Sequence, residues 1–343
     1  MRDFNVINSR PAHIHSMKEG MYMSTFETIM VFGLFIFGLL AIIKGGDLFV
    51  EASAWIAKIS GIPQFVIGAT IVSLATTLPE LMVSAIASAQ GNNQMAIGNA
   101  VGSVTANTGL IMALSIIFLP HAVNLQRFAP KAIILMGSIF FLAIFSLTGK
   151  LNIVGTVGMF IIFAIFIIQN LHDAKQSVSR GQISAQDMRI AVSRRDIVRH
   201  IVYFVVGTAG IVIGSNLLVD NGTLIADKIF MVDRRIISLT AVAIGTSLPE
   251  LVTTVTAIAK KQSSLSIGNI MGANIIDLTL IMPVCSIICG GALKISKSTI
   301  FIDLPFLALI TLAVFIPVFR NRRFSRSQGF LAIALYAIYL MFL

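Results

Sequence analysis

Apolar runs of about 20 residues recur from residue 27 to the end of the chain, separated by short polar breaks, as a bilayer core of roughly 30 Å demands of an α-helix. The breaks predict helices over residues 27–58, 63–91, 94–119, 129–148, 151–171, 199–228, 234–260, 264–290, 299–319 and 327–343. Ten such spans define an all-α membrane protein. Residues 1–26 form a mixed polar N-terminal tail without the apolar h-region of a secretory signal, and Met21 or Met23 offers an alternative start.

The longest polar stretch, residues 172–198, separates a half at 27–171 from a half at 199–343, with five helices in each. Residues 68–112 align with 238–282 at a constant offset of 170, and 16 of the 45 positions are identical. The identities include Thr76/Thr246, Leu78/Leu248, Pro79/Pro249, Glu80/Glu250, Gly98/Gly268, Asn99/Asn269 and Gly102/Gly272. Apolar bias would not preserve the polar pairs. Upstream, LFVEASAWIA at 48–57 echoes LLVDNGTLIA at 217–226. Because five is odd, the second copy enters the bilayer with the opposite orientation, which predicts ten transmembrane helices arranged as two inverted five-helix repeats.

Composition agrees: 56% of residues are hydrophobic and 12% charged. The net charge of +10 suggests nucleic acid, but the cations follow the membrane instead. Odd-numbered loops carry fifteen Lys and Arg, among them Lys58, Arg127, Lys131, Lys260 and Arg320, against six on even-numbered loops. Odd loops, including 172–198, are therefore expected in the cytoplasm and both termini outside, in a bacterial inner membrane. The expected partners are membrane lipid and small inorganic cations, with no nucleic acid. Cys285 and Cys289 lie one turn apart in an apolar span and imply neither a disulfide framework nor zinc.

An ionised carboxylate inside a bilayer is costly unless it faces a cavity and finds partners, so Glu80 and Glu250 call for bound cations. Ser73, Thr76, Thr77, Glu80 and Ser84 share one helix face by spacing, as do Ala243, Thr246, Ser247, Glu250 and Thr254. Pro79 lacks an amide hydrogen and its ring crowds the Ala75 carbonyl, so the helix should break or kink just before Glu80; Pro249 should do the same at Gly245. Carbonyls freed at this depth are tolerated where they line a cavity or take a ligand. Carbonyl, hydroxyl and carboxylate oxygens are what sodium and calcium require. The next helix supplies the other wall with Asn99, Ser103 and Asn107, matched by Asn269, Ala273 and Asp277, while Gly98, Gly102, Gly268 and Gly272 permit close approach. Three converging carboxylates, Glu80, Glu250 and Asp277, cannot all stay ionised in a low dielectric without cations. Asp277 is expected to hold a proton in the empty site, because its repeat counterpart Asn107 is neutral. Lys44, Asp47 and Glu51 read as interfacial, and Asp220, Asp227, Asp303, His13, His15, His121, His172 and His200 as surface residues.

At GATIVSLATTLPEL (68–81) with GNAVGSVTAN (98–107), and TAVAIGTSLPEL (240–251) with GNIMGANIID (268–277), the sequence resembles the sodium/calcium exchanger membrane family of the cation/calcium antiporter superfamily. The resemblance covers nearly the whole chain beyond the tail. It implies that Glu80 and Glu250 bind calcium or sodium with Thr76 and Thr246, whose backbone carbonyls also contribute. It implies further that Ser73 and Ala243 offer backbone oxygens, that Thr77, Ser247 and Ser103 offer hydroxyls, and that Asn107 and Asp277 form the central pair. Three positions depart from the family pattern: Ala273 and Thr77 each replace serine, and Ala75 replaces glycine. The implied mechanism is alternating access, with the first and sixth helices sliding across the other eight and sodium competing with calcium for shared oxygens. No cofactor or enzymatic activity is implied. The 172–198 loop is too short for calcium-sensing regulatory domains.

A proton/calcium or potassium-dependent sodium/calcium antiporter is the nearest alternative, kept open by Asp277 and Ala273. An intramembrane hydrolase would need an HExxH, a paired-Asp motif or a serine/histidine pair, none of which occurs in the spans. A passive channel with a glutamate filter is disfavoured by the internal inverted pair.

Overall fold

The computed structural model describes residues 24–179, 193–228 and 234–342, with the side chains of 178, 179, 226 and 234–245 outside the description. Most of the predicted N-terminal tail, with Met21, Met23, His13 and His15, and the centre of the predicted 172–198 loop therefore lie outside the described residues. The described chain is nearly all helical. α1 (Thr25–Ser60) opens on a capping box: Ser24 Oγ accepts from the Glu27 N–H at 3.2 Å and Glu27 Oε2 accepts from the Ser24 N–H at 2.8 Å. It closes at Gly61, whose φ of 68° lies in the left-handed region that glycine adopts without strain.

The predicted second range holds α2 (Gln64–Thr76) and α3 (Leu78–Ala89), bent by 45°. Then follow α4 (Asn93–Phe118), α5 (Leu125–Ser146), α6 (Ile153–Ser179), α7 (Arg194–Lys228), α8 (Arg234–Ala259), α9 (Ser263–Ile288), α10 (Thr299–Asn321) and α11 (Arg326–Leu340). Among the described residues, seven helices are long and apolar enough to cross a membrane, or eight if the bent pair counts as one span. α8 and α11 fall outside that number. With 15 residues, α11 rises only about 22 Å, short of a typical hydrocarbon core. The chain is an integral multi-pass membrane protein.

Burial sorts the bundle into centre and rim. The apolar windows of α4 and α9 are 72% and 83% buried within the protein, those of α1 and α7 only 17% and 22%. Phe26, Ile36, Phe37, Ile201 and Val205 on the rim helices are exposed, as lipid contact requires. Short pairings tie the loops together. β1 (Lys150–Leu151) pairs antiparallel with β2 (Leu293–Lys294), and a single bridge joins Ala122 to Arg323.

α1 and α7 cross backbone to backbone at two glycine contacts. A Cβ placed on Gly38 would lie 2.9 Å from the Gly214 carbonyl oxygen, and one on Gly45 would lie 2.9 Å from that of Gly207. As residue numbers rise along α1 they fall along α7, so the helices run antiparallel. Gly207→Ala would put a methyl group 2.6 Å from the Phe49 nitrogen, an atom of rigid backbone. The expected cost is about 1–3 kcal/mol in thermal unfolding of the detergent-solubilised chain. Gly33→Ala, on the same α1 but with nothing within 4 Å among the described residues, is expected to be neutral or stabilising.

Three expectations need correction. Lys131, expected among the loop cations, lies about a turn and a half inside α5, whose start is capped by Asn124 Oδ1 accepting from the Gln126 N–H at 3.0 Å, and it is fully buried, 2.6 Å from Asp173. α6 runs helically past residue 171 to Ser179, because polar residues end the lipid contact without ending the helix. His200 is not a surface residue: it is buried and stacked on Trp55, with ring centroids 4.0 Å apart. Asp303 stays part-exposed and accepts a hydrogen bond from Tyr339 Oη at 3.0 Å. Asp47 and Glu51 stay partly exposed beside Lys260, at 3.6 and 3.9 Å, away from the polar centre.

Candidate ion-binding site

The break between α2 and α3 falls at Thr77. Pro79 cannot donate to the helix ladder, and Thr77 turns out of regular geometry (φ −83°, ψ −2°), so Glu80 sits in the first turn of a re-started helix. At Pro249 the helix is not interrupted, so of the break or kink expected there the break does not occur: α8 runs through it. A proline removes one donor, and a helix long on both sides can absorb that loss by bending without interruption. Local geometry differs from a regular helix again on the facing wall. π-helical turns begin at Asn107 in α4 and at Asp277 in α9, the same position in each half. Such wide turns inside helices concentrate at functional sites, and residue spacing along the chain carries no sign of them.

The structure brings the candidate residues together in one buried region. Ser73, Thr76, Thr77, Glu80, Ser103, Asn107, Thr246, Ser247, Glu250 and Asp277 are all buried, and Glu80, Asn107, Glu250 and Asp277 are at most 1% exposed. Ala243 lies on α8, with its side chain outside the described residues. The Thr77 hydroxyl is 3.5 Å from Glu250 Oε1, and the Ser247 hydroxyl donates to Ser103 Oγ at 3.3 Å. Glu80 is an electrostatic neighbour of both Glu250 and Asp277. Thus α3, α8 and α9 bring the three carboxylates within electrostatic reach of one another, although among the described residues no three acidic side chains lie close enough together to form a ready-made metal cluster.

Close packing on one side positions these groups. Gly268 of α9 meets the Phe65 carbonyl of α2 in backbone contact, and a Cβ on Gly272 would lie 2.5 Å from Ser73 Oγ. Gly98 and Gly102 do not repeat this role: a Cβ on either would meet nothing within 4 Å among the described residues. The expected close approach therefore holds for α9; the positions of α8 that correspond to its partners lie at 235–243, where side chains are outside the description.

The unmet hydrogen-bonding capacity is concentrated here. Both carboxylate oxygens of Glu80, both of Asp277, Oε2 of Glu250, and Oδ1 and Nδ2 of Asn107 are buried without a hydrogen-bond partner among the described residues. Burying an unpartnered ionic oxygen is expensive, so a cluster of them is tolerated where a cation supplies the missing partner. All the donors are hard oxygens, which suit sodium and calcium and not soft metals. No His or Cys is among them. Two further residues emerge from the structure. Thr76 Oγ1 donates to Asn269 Oδ1 at 3.2 Å, and Thr246 Oγ1 donates to Asn99 Oδ1 at 2.9 Å. The identity of Asn99 and Asn269 across the repeat was the available signal, but spacing could not show that each reaches the opposite half.

A multi-pass helical bundle around a buried cluster of carboxyl, hydroxyl and amide groups is the arrangement of an integral membrane cation transporter. This chain belongs to the sodium/calcium exchanger protein family, whose sequence profile matches residues 30–171 and 199–343. Its relatives include an uncharacterized membrane protein, MJ0091, of Methanocaldococcus jannaschii, 31% identical over 90% of this chain and 97% of that one. The sodium/calcium exchanger MaX1 of Methanosarcina acetivorans is 28% identical over 91% of this chain and 98% of its own length. Among solved structures, the sodium-calcium exchanger NCX_Mj soaked with sodium and strontium matches with a TM-score of 0.79 and 29% identity, covering 92% of this chain and 99% of that one. Family membership makes the protein a transporter of the cation/calcium antiport class, not an enzyme.

Proposed function

We propose that this chain exchanges calcium for sodium by alternating access, through one site shared by two inverted five-helix repeats that together make ten spans. The observation that carries the reading is the group of five unpartnered carboxylate oxygens on Glu80, Glu250 and Asp277. Calcium takes six to eight oxygens at about 2.3–2.6 Å, and Thr76, Thr77, Ser73, Ser103, Ser247, Thr246, Asn107 and backbone oxygens such as that of Ala243 complete the set. Sodium competes for the same donors. Strontium, with which NCX_Mj was soaked, carries the same charge as calcium and prefers the same hard oxygens.

Paired contacts support the inverted arrangement. The Thr76 to Asn269 bond and the Thr246 to Asn99 bond exchange under the 170-residue offset. Gly38 against Gly214 and Gly45 against Gly207 exchange under the adjacent register. The rim pair α1 and α7, in contact through those glycines, is the element that slides across the central α4 and α9. Uncompensated carboxylate charge in a part-filled site opposes the slide, which turns binding into obligatory exchange. The odd-numbered loops face the cytoplasm.

Calcium uptake into everted vesicles tests the coupling ion. A sodium gradient is expected to drive it; uptake under a proton or potassium gradient without sodium would select the alternative antiporters. Ala273, buried where a serine hydroxyl would complete the ligand set, is the observation that favours that alternative. Labelled-calcium counterflow driven by unlabelled calcium separates an exchanger from a pore. Within the site, Asp277 takes the proton when cations are missing, as its neutral counterpart Asn107 suggests. Asp277→Asn is therefore expected to keep calcium flux within about tenfold of the parent. A loss as deep as that of Glu80→Gln would show that its charge is required.

A further inference from the structure

Asn99 and Asn269 are buried and each makes a hydrogen bond across the two halves of the chain, yet neither belongs to the ligand set proposed above. Asn99, on α4, accepts from Thr246 of α8 through Oδ1. Its Nδ2 donates to the Glu80 carbonyl oxygen at 3.2 Å and to Ser84 Oγ at 2.9 Å. The Glu80 carbonyl oxygen, which can only accept, settles which way that amide points. Asn269, on α9, occupies the repeat-equivalent position against Thr76 of α2, and its Nδ2 is buried with no partner among the described residues. Its engaged atom is the oxygen, in the same sense as Asn99.

We propose that Asn99 and Asn269 are positioning residues for ion exchange: each takes the hydroxyl proton of the opposite half's threonine and so turns that threonine's oxygen lone pairs toward the cation. A hydroxyl has one proton and two lone pairs. If the proton points into the site, it repels a cation; if a neighbouring acceptor holds it, the oxygen is a ligand. The Thr76 hydroxyl also lies 3.3 Å from the Ser73 carbonyl and within reach of the Glu250 carboxyl, so without Asn269 its proton has other places to go and the oxygen loses its fixed orientation. Because each bond crosses between the halves, the ligand geometry depends on how those halves are docked against each other. The inference rests on the exchange reading given above.

A double-mutant cycle on the full chain in proteoliposomes tests it, read as the calcium concentration that half-saturates counterflow. Thr76→Val and Asn269→Leu are each expected to raise that concentration about tenfold, and the double variant no further, because the asparagine acts through the threonine. Additive losses, near a hundredfold, or an unchanged value for Asn269→Leu would overturn the role. Asn269→Asp keeps the shape and an acceptor oxygen and adds a carboxyl group that, ionised beside a bound cation, holds the threonine proton at least as firmly, so it is expected not to raise the half-saturating concentration, which provides a reading even if the leucine variant folds poorly. A raised value there would also overturn the role. Counterflow missing from the parent chain would sink the exchange reading itself; normal parent counterflow with additive losses would sink only the part assigned to the asparagines.

Discussion

Glu80→Gln is expected to lower calcium exchange by at least about a hundredfold, a loss of roughly 2.7 kcal/mol or more in ion stabilisation, while the ion-free protein becomes no less stable. Glutamine preserves the volume and one carbonyl oxygen, so packing around α3 is undisturbed. What disappears is a full charge in a dry site, where the attraction to a divalent ion is far stronger than in water. Both Glu80 carboxylate oxygens lack hydrogen-bond partners, beside Glu250 and Asp277. In the empty protein that arrangement is a cost, so removing one charge relieves repulsion and desolvation together. Two measurements are needed: labelled-calcium flux in proteoliposomes, and the melting temperature with and without calcium. Calcium should raise the melting temperature of the parent and leave that of the variant where it was. A variant that still transports, or that melts far below the ion-free parent, would show that Glu80 holds the fold together and does not hold the ion.

The second large effect lies outside the site. Lys131 is fully buried in α5, its Nζ 2.6 Å from Asp173 of α6 and 5.5 Å from the centre of the Phe65 ring at the start of α2. Lys131→Met fills the same space without charge but strands the mostly buried carboxylate of Asp173, and breaking such a pair costs about 3–5 kcal/mol. In a protein of this size that corresponds to a fall in melting temperature of roughly 10 °C. Adding Asp173→Leu removes the stranded charge, and the double variant is expected to recover most of the loss, since paired ions and well-packed apolar groups are close in free energy. If the double variant melted as low as the single one, the aliphatic packing of Lys131 and its contact with Phe65 would be the dominant contribution. Calcium half-saturation of the folded single variant is expected to stay near that of the parent, because Lys131 touches none of the site oxygens.

Much of this molecule is legible in one dimension because each helix is a local object. The apolar period places helices in all the expected ranges, and the offset of 170 selects Glu80 and Glu250 before any coordinates are known. Proline at 79 marks the break that puts Glu80 in a first turn. The same residue at 249 leaves α8 continuous, so equal sequence did not mean equal geometry. Gly268 and Gly272 meet α2 closely, as their place in the repeat suggested.

The amino-acid pattern by itself determined which residues are too polar for lipid, which face of a helix they occupy, and that the chain repeats itself. Only the tertiary structure decided who meets whom: Thr76 with Asn269, Thr246 with Asn99, and Lys131 with Asp173 inside the bundle instead of in a loop. The reason is physical. Spacing along a helix is set by the backbone and shows in every window of sequence, whereas a contact between residues 147 or 193 positions apart depends on how separate helices dock, which no single window contains.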